Sequence, residues 1–326
     1  MKRQEFIAGG AAMAWSLGAS AQHRAKIPQI GYLSVNPSNY QSPRVFAQGL
    51  RDLGYVEGRN VVLEIRDAEG KFERLPARAA ELVARKVDVI VAPGPPHALA
   101  AKQASRTIAI NFAGVADPVA DGLVTSLAQP NGKVTGLSAL APELVGKRLE
   151  LPMEVVAGIG RVAILWQPGA FGDTTEKDLP KETEVVARAL GIRLQFAEAR
   201  GPADFARAFS EMVSACVDAL TRMWGCMCFF ERRGLVELGA KNRLPAVYPL
   251  REHIDAGGLF AFGPNRADSI GYAATDVDKI LKGAKRADLP VEQPTKFALA
   301  ISRKTAKALG ITIPPSLLSR ANEVLE

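Results

Sequence analysis

From Ile27 onward, short apolar runs alternate with stretches in which apolar residues recur every three or four positions. The first pattern fits a buried strand and the second an amphipathic helix, so their alternation predicts parallel sheets covered by helices. Ile30–Leu33 reads as the first strand, and Pro43–Leu53 as a helix with Val45, Phe46, Leu50 and Leu53 inward and Gly54 as its stop. Val61–Arg66, Val87–Val91, Ile108–Phe112 and Val134–Leu137 continue as strands. Between them Arg74–Arg85, His97–Ser105 and Val119–Leu127 read as helical segments.

A second series of the same kind begins after Pro142. Helices are expected at Glu143–Val156, Glu176–Leu190, Ala203–Ser214 and Arg232–Lys241, and strands at Arg161–Trp166, Arg193–Ala197, Val217–Met223, Pro245–Tyr248 and Leu259–Phe262. Arg266–Lys282 is a long helix with Ile270, Ala273, Val277 and Ile280 on its inner face; periodicity does not say which sheet it covers. The fold class is therefore α/β, two Rossmann-like lobes of parallel strands flanked by helices. Ser138–Pro142, Gly263–Asn265 and Glu292–Phe297 are the expected crossings, a multi-stranded hinge on which the lobes can close. The first lobe is assigned residues 26–140 with 264–290, and the second 141–263 with 291–326.

The first twenty-one residues fit neither series. Lys2 and Arg3, an apolar stretch from Phe6 to Leu17, and Ala19-Ser20-Ala21 have the order of an export signal cleaved near Ala21. Arg3-Gln4-Glu5-Phe6-Ile7 resembles a twin-arginine signal that lacks its second arginine, so the sequence leaves the export route open. Composition changes this picture little. The leader's Lys2, Arg3 and Glu5 carry one net positive charge, so the chain's +7 becomes +6, spread without a long basic block. Nucleic-acid binding, which favours clustered cations, is not indicated. Cys216, Cys226 and Cys228 are three and cannot all pair, and three histidines do not make a metal site. Neither metal nor cofactor is expected.

Several segments taken in order resemble the ABC transporter substrate-binding protein family of the type I periplasmic-binding fold, the group with tryptophan- and tyrosine-binding members. They are Ile30-Gly-Tyr-Leu-Ser34, Leu53–Asn60, Val87–Val91, Phe112–Val119 with its Ala-Asp-Pro core, Val134-Thr-Gly-Leu137, Gly257-Gly258, and Lys304–Gly310 followed by Ile313-Pro-Pro315. The resemblance spans the mature chain. It implies a monomeric periplasmic receptor that captures a small molecule between its lobes and delivers it to the membrane permease of an ABC transporter.

Ligands of open α/β sheets bind outside the carboxyl ends of the strands. On the first lobe this selects Ser34 and Asn36, Gly94 and Pro95, Ala116 and Asp117, and Ser138; on the second, Gln167 and Tyr248; and Asn265 in a crossing. Each has a structural alternative. Ser34, Asn36 and Asp117 are also turn and cap residues, Gly94-Pro95 also starts a helix, and Trp166 and Tyr248 also suit a core. Arg251 offers a carboxylate fork or a plain surface charge. Thr221–Phe230 departs from the family pattern, with Arg222 inside a strand and a Trp, Met and Cys cluster after it. No phosphate loop, Gly-x-Ser-x-Gly elbow or histidine triad is present, so an enzyme is not expected. A sensory binding protein is the alternative to transport, and an exported α/β enzyme the third reading.

Overall fold

The computed structural model describes residues 26–35, 41–130, 132–139, 141–223, 230–285 and 288–326. The expected leader, Asn36, Cys226 and Cys228 lie outside the described residues.

Five parallel strands form the first sheet: β1 (Gln29–Ser34), β2 (Val62–Asp67), β3 (Val89–Ala92), β4 (Ala109–Val115) and β5 (Val134–Ser138), in the order β2-β1-β3-β4-β5. Alternation along β1 sends Ile30 and Tyr32 to one face and Leu33 to the other, so both faces need cover. On Leu33's side, α2 (Leu75–Ala84) and α3 (Pro95–Ala104) bring Leu75, Ala79, Leu82, Ala98 and Ala101 against Ile90 and Phe112. The opposite face receives α1 (Gln41–Asp52) through Phe46 and Leu50.

In the second sheet β6 (Arg161–Trp166), β7 (Arg193–Glu198), β8 (Ala219–Arg222), β9 (Ala246–Tyr248) and β10 (Phe260–Pro264) run parallel. β11 (Phe297–Ser302) pairs antiparallel with β10 and parallel with β12 (Glu323–Leu325), giving the order β12-β11-β10-β9-β8-β6-β7. Val145 and Leu149 of α4 (Ala141–Met153), with Ala187 of α5 (Asp173–Ala189), cover Val162 and Ala219. Phe205, Phe209 and Met212 of α6 (Phe205–Ser214), with Leu235 and Val236 of α7 (Arg232–Lys241), cover Leu220, Ala246 and Tyr248. A short α8 (Glu252–Asp255) precedes β10.

After β10 the chain leaves this sheet. Ile270, Ala273, Ala274 and Val277 of α9 (Arg266–Leu281) pack with Phe46 and Leu50 on the first sheet, which answers what periodicity left open. The following segment stays there through Glu292, whose amide donates to the Gly136 carbonyl and whose carbonyl accepts from the Ser138 amide. β11, α10 (Arg303–Leu309), α11 (Pro315–Arg320) and β12 then complete the second lobe. The chain thus passes between the sheets after β5, after β10 and after Glu292.

One expected helix is absent. Val119–Leu127 forms turns, because Asp117 Oδ1 accepts from the Val119 and Ala120 amides at 3.0 and 2.9 Å and the Pro118 carbonyl accepts from Leu123 and Val124. Gly122, at φ +65°, reverses the chain, and buried Leu123 and Val124 anchor it to the core. A bulge between Ala113 and Val115 shapes the neighbouring rim. There β5 approaches β4 so closely that a Cβ on Gly136 would lie 2.0 Å from the Phe112 carbonyl oxygen.

Candidate ligand-binding cleft

Strand order places the crevices. The first sheet reverses its order between β1 and β3, and the second between β6 and β8, and such switch points leave a gap at the strand ends. The two sets of carboxyl ends face each other. Ala116, just after β4, packs in one cluster with Ala170, Phe171 and Met223 from the loops after β6 and β8. Asp121, from the same first-lobe loop as Ala116, accepts the Thr175 amide at 3.0 Å in the first turn of α5 in the other lobe. Gly172 makes that approach possible, since a Cβ there would come within 2.2 Å of the Asp121 carboxyl carbon. Burial raises the Asp121 pKa above the usual carboxylate range, against the opposing pull of amides at Thr175 and Gly172.

The residues selected from sequence divide into two sets. Ser34 closes β1 with its hydroxyl donating to Asp67 Oδ2 at 2.8 Å. Gly94 and Pro95 are buried at the start of α3, beside it across the switch point. Ser138 donates to the Ala116 carbonyl at 3.3 Å, tying the ends of β4 and β5 together beside half-buried Asp117. Gln167 is buried after β6, its carbonyl accepting from Ala170. These form the facing rims. Tyr248 and Asn265 do not join them. Tyr248 lies in the core under α7, stacked on His253 with ring centroids 4.6 Å apart, and burial raises its hydroxyl pKa. Asn265 is exposed and caps α9 through the Ala267 and Asp268 amides. Arg251 is taken up by Glu323 and Asp255.

Other buried polar groups gather here. His97, in the first turn of α3, is 0 % exposed, and neither ring nitrogen makes a hydrogen bond of good geometry. Burial pushes its pKa down to about 4, partly offset by the Gly94 backbone. Trp166 Nε1, Asp121 Oδ2 and Thr175 Oγ are buried without partners along the second-lobe rim and its contact with the first. Arg148 and Arg222, 1 % and 2 % exposed, each hold guanidinium nitrogens without hydrogen bonds. Both had a sequence signal. Arg222 interrupts an apolar strand, and Arg148 falls on the inward helical face between Val145 and Leu149.

Buried polar groups are nearly always satisfied, so this concentration marks where a ligand's own polar groups would fit. Two cavities lie elsewhere. A groove of about 560 Å³ runs beside α10 and α11, lined by exposed Arg303, Lys304 and Lys307. A pocket of about 190 Å³ lies between α4 and β11. Neither is lined by any of the unpartnered groups. Among the described residues no group of three His, Cys, Asp or Glu is arranged to hold a metal, and no helix is long and apolar enough to cross a membrane.

Comparison with known proteins agrees with this architecture. Residues 32–325 match the family described as ABC transporter substrate binding protein. A tyrosine-binding protein of Clostridioides difficile is 24% identical over 287 residues, covering 86% of this chain and 79% of the relative. A conserved domain protein from Vibrio cholerae superposes with a TM-score of 0.83 at 26% identity, over 92% of this chain and 100% of that one. An ABC domain from Streptococcus pneumoniae in complex with L-Trp gives 0.82 at 24% identity, over 91% of this chain and 99% of that one. A ligand-free, open substrate-binding protein from Clostridium difficile gives 0.64 at 21% identity, over 92% and 99%. Two sheets of mostly parallel strands flanked by helices place the chain in the type I periplasmic-binding fold.

Proposed function

Because the chain belongs to the ABC transporter substrate-binding protein family, we propose that it is the capture component of an uptake system, enclosing a small molecule between its lobes. An amino acid is the leading ligand class, supported by the tyrosine- and tryptophan-binding relatives. The loaded protein hands its ligand to a membrane permease and performs no chemistry on it. It works as a monomer outside the cytoplasmic membrane after removal of the leader.

The observation that carries this reading is the gathering of unpartnered buried polar groups at two rims that already touch. A ligand held there contacts both lobes at once and stabilises the closed form by its differential affinity. Gly94 and Pro95 bring the start of α3 to the cleft, Ser34 and Ser138 present their strand-end hydroxyls, and Ala116 an apolar wall. Asp117, with Oδ1 engaged in its turn, offers its second oxygen to an ammonium group, and Gln167 reaches from the other lobe.

A thermal-shift screen of amino acids and small carboxylates tests this. A genuine ligand at 100 times its Kd adds about 2.7 kcal/mol of stability, a plainly measurable shift. No shift with any compound would remove the receptor reading.

A further inference from the structure

Arg148 and Arg222 reach the inner rim of the second lobe from opposite sides of one strand edge. Arg222 ends β8, at the switch point of the second sheet. Arg148 rises from α4, and its Nε donates to the Phe262 carbonyl at 2.9 Å. Its Nη2 lies near the end of β10, where a Cβ added to Gly263 would stand 3.7 Å away. That nitrogen and Nε and Nη1 of Arg222 are buried without a partner. Among the described residues no carboxylate forms an ion pair with either guanidinium. The two charges also feel each other: burial, with Arg222's charge added, pushes the Arg148 pKa down to about 9.

Two like charges buried together without a counter-ion are costly, and a chain that keeps them has unmet demand for an anion. The planar fork of a guanidinium suits a carboxylate in particular. Leu165 pairs with Arg222 across the β6–β8 gap, so the demand sits at the crevice where a ligand of this sheet would enter.

We propose that Arg148 and Arg222 form an anion subsite on the second lobe, and that this protein's ligand carries a carboxylate that enters it. The inference rests on the receptor reading and narrows it. The second lobe takes the acidic end of the ligand, so a molecule lacking a carboxylate is excluded whatever its ring or chain.

The test compares wild-type protein with Arg222→Met and Arg148→Gln, using L-tyrosine, 4-hydroxyphenylacetate, tyramine and sodium sulfate as probes in thermal shift and calorimetric titration. In the wild type, L-tyrosine or 4-hydroxyphenylacetate should raise the melting temperature, and tyramine, which has the ring and amine but no carboxylate, should not. Arg222→Met should weaken the carboxylate probe about 30-fold or more, the range for truncating one partner of a buried charge-assisted contact. Its own ligand-free melting temperature should stay level or rise, because an unpaired buried charge has gone. Tyramine binding as tightly as L-tyrosine, or carboxylates shifting Arg222→Met as much as wild type, would overturn the subsite while leaving the receptor reading in place. Sulfate shifting the protein when no carboxylate does would overturn the carboxylate assignment. No response of the wild type to these probes or to any compound of the wider amino-acid and carboxylate screen would sink both readings. An Arg222→Met chain that fails to fold would show the guanidinium already paired within the protein, and the proposal would fall.

Discussion

On the rim of the first lobe, Asp117 gives Oδ1 to two backbone amides, Ser34 donates to Asp67, and Ser138 donates to the Ala116 carbonyl. Across the cleft, Arg148 and Arg222 carry guanidinium nitrogens that nothing in the described protein satisfies. The first rim uses its polar side chains to hold its own loops in shape. The second keeps its strongest donors in reserve. A rim built in this way supplies a fixed wall, and its partner supplies the groups that recognise charge. The first lobe has exceptions: the buried ring nitrogens of His97, Oδ2 of Asp121 and Oδ1 of Asn111 are also unmatched.

The largest effect should come from breaking the wall. Gly136 sits at φ +149° with the Phe112 carbonyl oxygen 2.0 Å from where a Cβ would stand. Gly136→Ala should cost about 4 kcal/mol or more in chemical denaturation, since backbone cannot retreat as a side chain does. A loss below about 1 kcal/mol would mean that the β4–β5 bulge yields, and that the first rim is not rigid.

His97 comes next. Its folded pKa of about 4 lies below the ordinary histidine value of 6.5, so between these pH values the unfolded chain binds a proton that the folded chain refuses. Stability should therefore fall as pH drops from about 6.5 to 4, by roughly 3 kcal/mol from this group, and no further below. His97→Leu should flatten that slope in denaturation curves at pH 7 and 4.5. An unchanged slope would assign the acid sensitivity to other groups.

Asp117→Ala separates the two roles of one carboxylate. Losing the bonds to Val119 and Ala120 should cost about 1 kcal/mol, as removal of a cap does. Affinity for L-tyrosine should fall about tenfold as well, by roughly 1.4 kcal/mol. A stability loss without an affinity loss would make Asp117 a turn residue alone.

Gly172→Ala should have the smallest effect on stability, within about 1 kcal/mol, because it acts between lobes and not inside either core. Its added methyl would displace the Asp121 carboxylate from α5 and loosen the contact between lobes. X-ray scattering of the ligand-free protein should show a larger radius of gyration. An unchanged radius would show that this contact does not hold the lobes together.

The same contrast explains what could be read from the chain beforehand. Where burial repeats with a fixed period the elements were legible: Arg161–Trp166 and Arg232–Lys241 form a strand and a helix with those bounds. Val119–Leu127 has helical spacing, yet the Asp117 cap, Pro118 and Gly122 commit its backbone to turns. The C-terminal β11 and β12 do not stand out in the sequence, because β11 pairs antiparallel with β10, next to the edge strand β12, in an otherwise parallel series. Rim loops could be located from strand ends, but side-chain direction follows from three-dimensional packing. Hence Tyr248 reads equally as a cleft or a core residue until α7 is seen to cover it. Arg148 and Arg222 are the reverse case. Arg222's misfit within an apolar strand was visible, Arg148 stands out only once α4 is seen to bury it, and their use emerges when the two charges are found to act on each other.

The most direct test of the account is hydrogen exchange on the purified protein with and without a saturating amino acid or carboxylate that raises its melting temperature. Protection should appear on both rims together, at the amides of His97 and Ala98, at the non-proline amides from Ala116 to Asp121 and from Gln167 to Thr175, and at the end of β8. Protection confined to one lobe or to the outer groove beside α10 and α11 would contradict capture between the lobes.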